Sequence, residues 1–250
     1  MRSETDLLYK RINERFVKAF ATYRLLEGDD HVLVGLSGGK DSLLLTELLA
    51  RRARIFHPRF TVQALHVRME NIDYESSTDY LQQFCEDLGV RFHLSTTRFE
   101  QGKQPCFMCS WQRRKQLFNL AQQLGCNKIA LGHHQDDLLH TCLMNLFFQG
   151  RFDTMPALLK MRKMPLSIIR PLCLVAEDDI RRYAELRGYE HQLKTCPYEH
   201  ASRRTDMSRL FQQVQKMNTE ARNSLWNAIE RSSKLVQEDE NAPAMIIKNT

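Results

Sequence analysis

Apolar residues recur at helical spacing from the start of the chain. Leu7, Leu8, Ile12, Phe16 and Phe20 fall on one stripe, which predicts an amphipathic helix over residues 6–26, closed by Gly28. The period then changes. Residues 31–36, His-Val-Leu-Val-Gly-Leu, are a short apolar run that predicts a strand, and a glycine turn hands it over to a leucine-rich helix at 43–52. The alternation repeats, with strands expected at 60–67, 91–95 and 128–131 and helices at 76–88 and 109–124. Such alternation predicts an α/β fold, a parallel sheet flanked by helices. Residues 150–167 are basic, Met-rich and weakly periodic, and read as a loop with a short strand ending at Ile168 and Ile169 before Pro171. Helical spacing returns at 177–187, 207–216 and 224–235. The expected organisation is an N-terminal helix at 1–28 packing on the core, an α/β domain at 29–200, C-terminal helices at 201–236 and a flexible tail at 237–250.

Composition narrows the class. With 250 residues, 42% of them hydrophobic, the chain buries one sizeable core. A balance of 36 Lys and Arg against 30 Asp and Glu, net +6, suits a polyanionic partner such as RNA without requiring one. Charges every few residues through position 24 do not read as a signal peptide, and no span approaches membrane length. Seven cysteines at irregular spacing argue against a disulfide framework and for a reducing, cytoplasmic setting. Cys85, Cys126, Cys142 and Cys173 lie in apolar or helical stretches and read as buried, inert thiols. Cys106, Cys109 and Cys196 stand apart.

Ser37-Gly38-Gly39-Lys40-Asp41-Ser42 lies between the first strand and its helix, where backbone N–H groups and the positive helix end hold phosphate. This is not a Walker A loop: Gly35 precedes Gly39-Lys40 by one residue too few, and Asp41 stands where a magnesium-holding Ser or Thr belongs. An ordinary helix-capping glycine turn accounts for the glycines but not for the serines, lysine and aspartate beside them. The later run Gly132-His133-His134-Gln135-Asp136-Asp137 admits two metal readings, zinc on the histidines and aspartates or magnesium on a hard carboxylate of Asp136 or Asp137. His66 and His140 read as structural.

Cys106 and Cys109 stand three residues apart at a helix entrance, where the helix end favours thiolate. Alone they read as a redox dithiol, half a zinc site or part of an iron-sulfur cluster. Cys196, in Lys-Thr-Cys-Pro-Tyr, adds a third thiol after an expected strand.

The Ser-Gly-Gly-Lys-Asp-Ser loop after an apolar strand resembles the signature of the PP-loop ATP pyrophosphatases, which split ATP into AMP and pyrophosphate. The resemblance implies an adenine nucleotide alpha hydrolase-like sheet. It assigns Ser37, Gly38, Gly39, Asp41 and Ser42 to the pyrophosphate end of ATP with Lys40 nearby, the adenine near His66 and Val67, and Gly132 near the α-phosphate. Over roughly residues 30–235 the chain is similar to one subgroup, the tRNA 2-thiocytidine synthetases. Cys109-Ser110 with Arg113-Arg114, the His-His-x-Asp-Asp run, Met155-Pro156, Ile169-Arg170-Pro171-Leu172 and the acidic helix start at 177–180 carry this likeness. In that subgroup three cysteines hold a 4Fe-4S cluster, and Cys106, Cys109 and Cys196 match them. The subgroup often has a further cysteine three residues after the third, where this chain has Glu199, so a mechanism needing a fourth thiol is not implied.

The function implied is an ATP-, Mg2+- and iron-sulfur-dependent tRNA sulfurtransferase. The 2-carbonyl of a cytidine is adenylated, with Asp41 and the three cysteines as the catalytic set, and sulfur then replaces the oxygen. Arg113, Arg114, Arg151, Arg162, Lys163, Arg203 and Arg204 are the expected phosphate contacts to RNA. A sulfur donor such as a cysteine desulfurase and a homodimer complete the expectation. Three alternatives stand beside it: PP-loop chemistry on another nucleotide or small-molecule carbonyl, amidation with zinc in place of the cluster, and a non-catalytic nucleotide- or RNA-binding regulator.

Overall fold

A computed structural model describes residues 3–55, 57–74, 78–98, 105–190, 194–195 and 203–239. In chain order the elements are α1 (Glu4–Tyr23), β1 (Asp30–Gly35), α2 (Lys40–Ala53), β2 (Phe60–Met69), β3 (Asp73–Tyr74), α3 (Asp79–Asp87), β4 (Arg91–Thr97), α4 (Pro105–Gln123), β5 (Lys128–Ala130) and α5 (Gln135–Gln149). There follow β6 (Leu158–Met161), β7 (Ser167–Ile169), α6 (Glu177–Arg187), β8 (Lys194–Thr195), α7 (Arg203–Met217), α8 (Ala221–Arg231) and β9 (Val236–Asp239).

Side-chain alternation explains the layering. Val32 and Val34 point into one core and Leu33 into the other, as do Ala130 against Ile129 and Ile169 against Ile168. A strand buried on both faces needs helices on both sides: α1, α2, α3, α5 and α6 cover the first face, and Phe118 and Ala121 of α4 the second. Helix α1 begins with a capping box, the Ser3 hydroxyl accepting from the Asp6 N–H and the Asp6 carboxylate from the Ser3 N–H. Its buried stripe is Leu8, Ile12, Phe16, Ala19 and Tyr23, while Leu7 is exposed.

The large sheet runs β4-β2-β1-β5-β7-β6-β9, parallel from β4 through β7. From β1 the chain crosses to β2 and then β4 on one side, and β5 pairs on the other. The loops after β1 and β5 therefore face each other across a topological switch point, where α/β sheets bind ligands.

Two expectations need correction. The region 150–167 is not loop throughout: β6 pairs antiparallel with β7, Leu158 opposite Ile169. Nor is residue 237 the start of a frayed tail, because Val236–Asp239 pairs with Leu158–Met161 as β9. β9 is the sheet edge, where one neighbour suffices and a charged residue such as Glu238 is tolerated, and β6, paired on both sides, is only four residues long, so neither carries a strong apolar period. Residues 240–250 lie outside the described residues. No helix among those described is long and apolar enough to cross a membrane.

Candidate active site

The loop after β1 is tied by its own serines. Ser42 Oγ accepts from the Gly38 N–H at 3.2 Å and the Ser37 hydroxyl at 3.1 Å, and donates to the Gly39 carbonyl at 2.9 Å. Gly38 adopts φ +87°, open to glycine without strain. No side chain caps α2 at Gly39, so the first-turn N–H groups other than that of Ser42, which donates to the Gly39 carbonyl at 3.1 Å, are left for a ligand. Gly132, after β5, presses on this turn: a Cβ there would lie 3.1 Å from Asp41 C and Ser42 N.

Lys40 is held between carboxylates, with Nζ donating to Glu177 Oε1 at 3.1 Å and to Asp41 Oδ2 at 3.3 Å. Burial alone lowers its pKa, but the Asp41 charge and the Glu177 contact outweigh that and leave it raised. Asp41 is also raised, although pairing with Lys40 alone would lower it. Its burial, with the Asp137 charge, outweighs the pull of His134 and Lys40. Asp41 Oδ1 is buried and has no hydrogen bond, since Lys40 Nζ at 3.2 Å approaches it off the bonding direction. His134 Nε2 lies 3.8 Å from that oxygen and 3.5 Å from Asp137 Oδ2. Two carboxylates and an unbonded buried oxygen beside a phosphate-ready turn fit Mg2+, which takes one or two carboxylates plus phosphate oxygens.

The two aspartates of the later run separate. Asp137 Oδ2 accepts the His134 N–H at 3.1 Å and faces Asp41. Asp136 instead receives both guanidinium nitrogens of Arg222 and the Glu177 N–H at 2.9 Å. Burial pushes Asp136 up, but these partners and the His134 charge prevail and hold its carboxyl below the ordinary range. Its oxygens are committed, so the magnesium role expected of either aspartate fits Asp137 and not Asp136. The zinc reading finds no support: His133 Nδ1 accepts from Arg170 Nε at 3.2 Å, and no group of three His, Cys, Asp or Glu among the described residues is arranged to hold a metal.

His66 and Val67 are buried near the end of β2. The His66 Nδ1–H donates to the Leu36 carbonyl at 2.8 Å, just before the glycine turn. Burial, with the charges of Arg113 and Arg68, keeps the ring below its ordinary pKa and neutral. His140 is likewise lowered by burial and packs edge-on to Phe211, a structural role.

Helix α4 starts at Pro105, four residues before the expected start, because proline suits a first helical position. Cys106 lies in its first turn, its side chain outside the described set; Cys109 is half-buried and packs with Met108 on Met69 and Ile72 after the end of β2. The short ladder of β3 and β8 sets Thr195 opposite Asp73, next to Ile72. Cys196 itself lies outside the described residues, but the chain is brought to the Cys109 neighbourhood one residue before it. Cys106 and Cys109 stand one helical turn apart on α4, and soft thiolates of that kind are the ligands an iron-sulfur cluster takes.

Of the expected RNA contacts, Arg113 reaches the His66 neighbourhood and Arg114 that of Arg170, whose guanidinium burial and the Arg114 charge lower to about 10. Arg162 and Lys163 sit in the turn between β6 and β7. That turn precedes the start of β7, so it lies at the opposite end of the sheet from the nucleotide turn. Arg151 follows the far end of α5 and contacts Gln149. Arg203 and Arg204 begin α7, their side chains outside the described set. Sequence reading missed Arg222, the Arg170–His133 contact and the grip of Glu177 on Lys40. Of these only Glu177 carried a local signal, an acidic helix start.

The description "PP-loop domain" matches residues 8–196. The tRNA-cytidine(32) 2-sulfurtransferase of Bordetella avium is 34% identical over 244 residues, covering 94% of this chain and 76% of the relative. That of Burkholderia cenocepacia is 32% identical, covering 90% and 70%. Among solved structures, the U34-tRNA thiolase NcsA from Methanococcus maripaludis with its [4Fe-4S] cluster superposes with a TM-score of 0.74 at 25% identity, covering 91% of this chain and 79% of that one.

Proposed function

The chain belongs to the PP-loop domain family and to the tRNA-cytidine(32) 2-sulfurtransferases, and from that premise we propose that it thiolates a cytidine of the tRNA anticodon loop at C2. It is a tRNA sulfurtransferase using ATP with Mg2+ and a [4Fe-4S] cluster. The observation that carries the thiolation reading is that the Asp41 turn and Gly132, in contact with each other, lie at the same end of the parallel strands as Met69, against which Cys109 packs, since adenylation and sulfur transfer must reach the same carbon.

In this reading the free N–H groups of the α2 start and Lys40 bind the β- and γ-phosphates, and Asp41 with Asp137 holds Mg2+ against them. The cytidine O2 attacks the α-phosphorus beside Gly132, whose absent side chain lets the β5 loop close on the Asp41 turn, and pyrophosphate departs. The carbon then carries an AMP leaving group, which a sulfur nucleophile displaces. When bound on Cys106, Cys109 and Cys196, the cluster supplies soft, sulfur-handling iron. Positioning and charge stabilisation carry the adenylation step.

An unpaired loop base is reachable because it swings out of its stack into a pocket. In this reading Arg113 and Arg114 meet the loop phosphates. Arg151, Arg162 and Lys163 lie farther off and would meet only the more distant RNA backbone, while Arg203 and Arg204 would meet it at the start of α7. The reading includes a sulfur donor of the cysteine desulfurase kind, a homodimer and a cytoplasmic location.

The test is anaerobic incubation of the reconstituted protein with ATP, Mg2+, sulfide and a tRNA transcript, followed by nucleoside mass spectrometry. ATP-dependent 2-thiocytidine is expected, absent after Asp41→Asn. Thiouridine as the product would overturn the choice of base, and no thionucleoside at all would overturn the acceptor class.

A further inference from the structure

Helix α8 lies outside the matched region 8–196, yet it sends one side chain into the nucleotide end of the fold. The two terminal nitrogens of Arg222 bond both carboxylate oxygens of Asp136, and Nη1 also donates to Gln135 Oε1 at 3.1 Å. Asp136 is 6% exposed and also accepts the Glu177 N–H at the start of α6. Glu177 Oε1 in turn holds Lys40, 3.1 Å away. A continuous chain of contacts thus runs from Arg222 through Asp136 and Glu177 to Lys40 and Asp41.

We propose that Arg222 is a positioning residue for ATP: its fork on Asp136 locks the start of α6 against the start of α5 and keeps Glu177 where it steadies Lys40 over the phosphates. The inference rests on the reading of the Ser37–Ser42 turn as the ATP site. Nothing local marks the arginine, but the geometry does. A planar fork matching a carboxylate has little freedom, and the carboxylate it grips is buried, so the clamp fixes helix starts rather than decorating a surface. Removing the fork leaves Asp136 with a backbone N–H and, as its charge partner, only His134, whose Nδ1 lies 3.9 Å away. The start of α6 then loses its anchor, and Lys40 loses one of its two carboxylates.

The experiment compares Arg222→Ala and Arg222→Lys with the unmodified chain. It reads Mg-ATP affinity by calorimetry on the protein alone, KM for ATP and for tRNA with kcat in turnover, and the melting temperature. Arg222→Ala is expected to weaken ATP about tenfold, the loss of roughly one charge-assisted hydrogen bond, with KM for tRNA unchanged. Arg222→Lys should recover part of this, because an ammonium makes one of the two contacts. A lower melting temperature with unaltered ATP affinity in the folded protein would show a merely structural clamp and overturn the proposal. A raised KM for tRNA alone would do the same, making Arg222 an RNA contact. Should Arg222→Ala fail to fold, Arg222→Lys decides, and ATP affinity equal to that of the unmodified chain refutes the inference. A chain that binds no ATP overturns it with the nucleotide site, whereas one that binds ATP but thiolates no tRNA overturns only the acceptor reading.

Discussion

Gly132 lies against the backbone of Asp41: a methyl group on it would come within 3.1 Å of the Asp41 carbonyl carbon and 3.2 Å of its oxygen. The loops after β1 and β5 are therefore in contact, and the missing side chain is what allows it. Gly132→Ala should push the turn out of place at a cost on the order of 1–3 kcal/mol, borne at the loop more than in the core. The expected result is ATP affinity lower by tenfold or more with a melting temperature within a few degrees of the unmodified protein. Unchanged affinity would mean that the turn yields freely.

Asp41 and Asp137 crowd one another, and a cation between them relieves the repulsion. Either Asp41→Asn or Asp137→Asn should raise the magnesium concentration needed for half-maximal pyrophosphate release, by about tenfold for 1.4 kcal/mol of lost attraction. At saturating ATP, Asp136→Asn should leave that midpoint in place while lowering stability and ATP affinity, because its oxygens are taken by Arg222 and the Glu177 N–H. A magnesium titration of the three variants separates the roles.

Glu47 is fully buried and satisfied by the Tyr183 hydroxyl at 2.9 Å, the Tyr189 hydroxyl at 2.5 Å and Arg51 at 2.6 Å. This pins α2 to α6 and sets where Glu177 meets Lys40. Glu47→Ala strands two hydroxyls and should destabilise by about 3 kcal/mol, against roughly 1 kcal/mol for Tyr189→Phe. Urea unfolding midpoints give the ranking, and the reverse order would contradict this account.

The four cysteines read as inert are buried. Burial, aided by Glu86, pushes the Cys85 thiol up to about 12, and burial with Asp153 pushes Cys142 up to about 11. Since unfolded thiols ionise near ~8.5, the folded state binds more protons above that pH. Stability is complete below it and falls as pH rises toward 11, by up to about 1.4 kcal/mol per pH unit for each such thiol. Cys142→Ala should flatten part of that slope. In the cluster-free protein iodoacetamide should spare Cys85, Cys126, Cys142 and Cys173 until denaturant is added, and early labelling at any of them would count against their burial.

The strands of the parallel sheet, the helices between them and the Ser37–Ser42 turn were legible because each is written in a local period or a short motif. Val32, Leu33 and Val34 announce a strand buried on both faces by being apolar in succession. The same locality explains the failures. β9 is a polar edge strand and β6 a four-residue strand just inside it, both too short to show a period, and they exist because β6 finds β7 on one side and β9 on the other.

The sequence by itself determined the α/β alternation and the glycine turn at Ser37–Ser42, since these follow from neighbours a few residues apart. Only the tertiary structure decided that Asp136 serves Arg222 while Asp137 turns to Asp41, and that Lys40 is held by Glu177, 137 residues away. It also separated Arg162 and Lys163 from the nucleotide end. The physical reason is that a carboxylate's role depends on which charge is buried beside it. That partner is chosen by how helices pack, and no spacing along the chain records it.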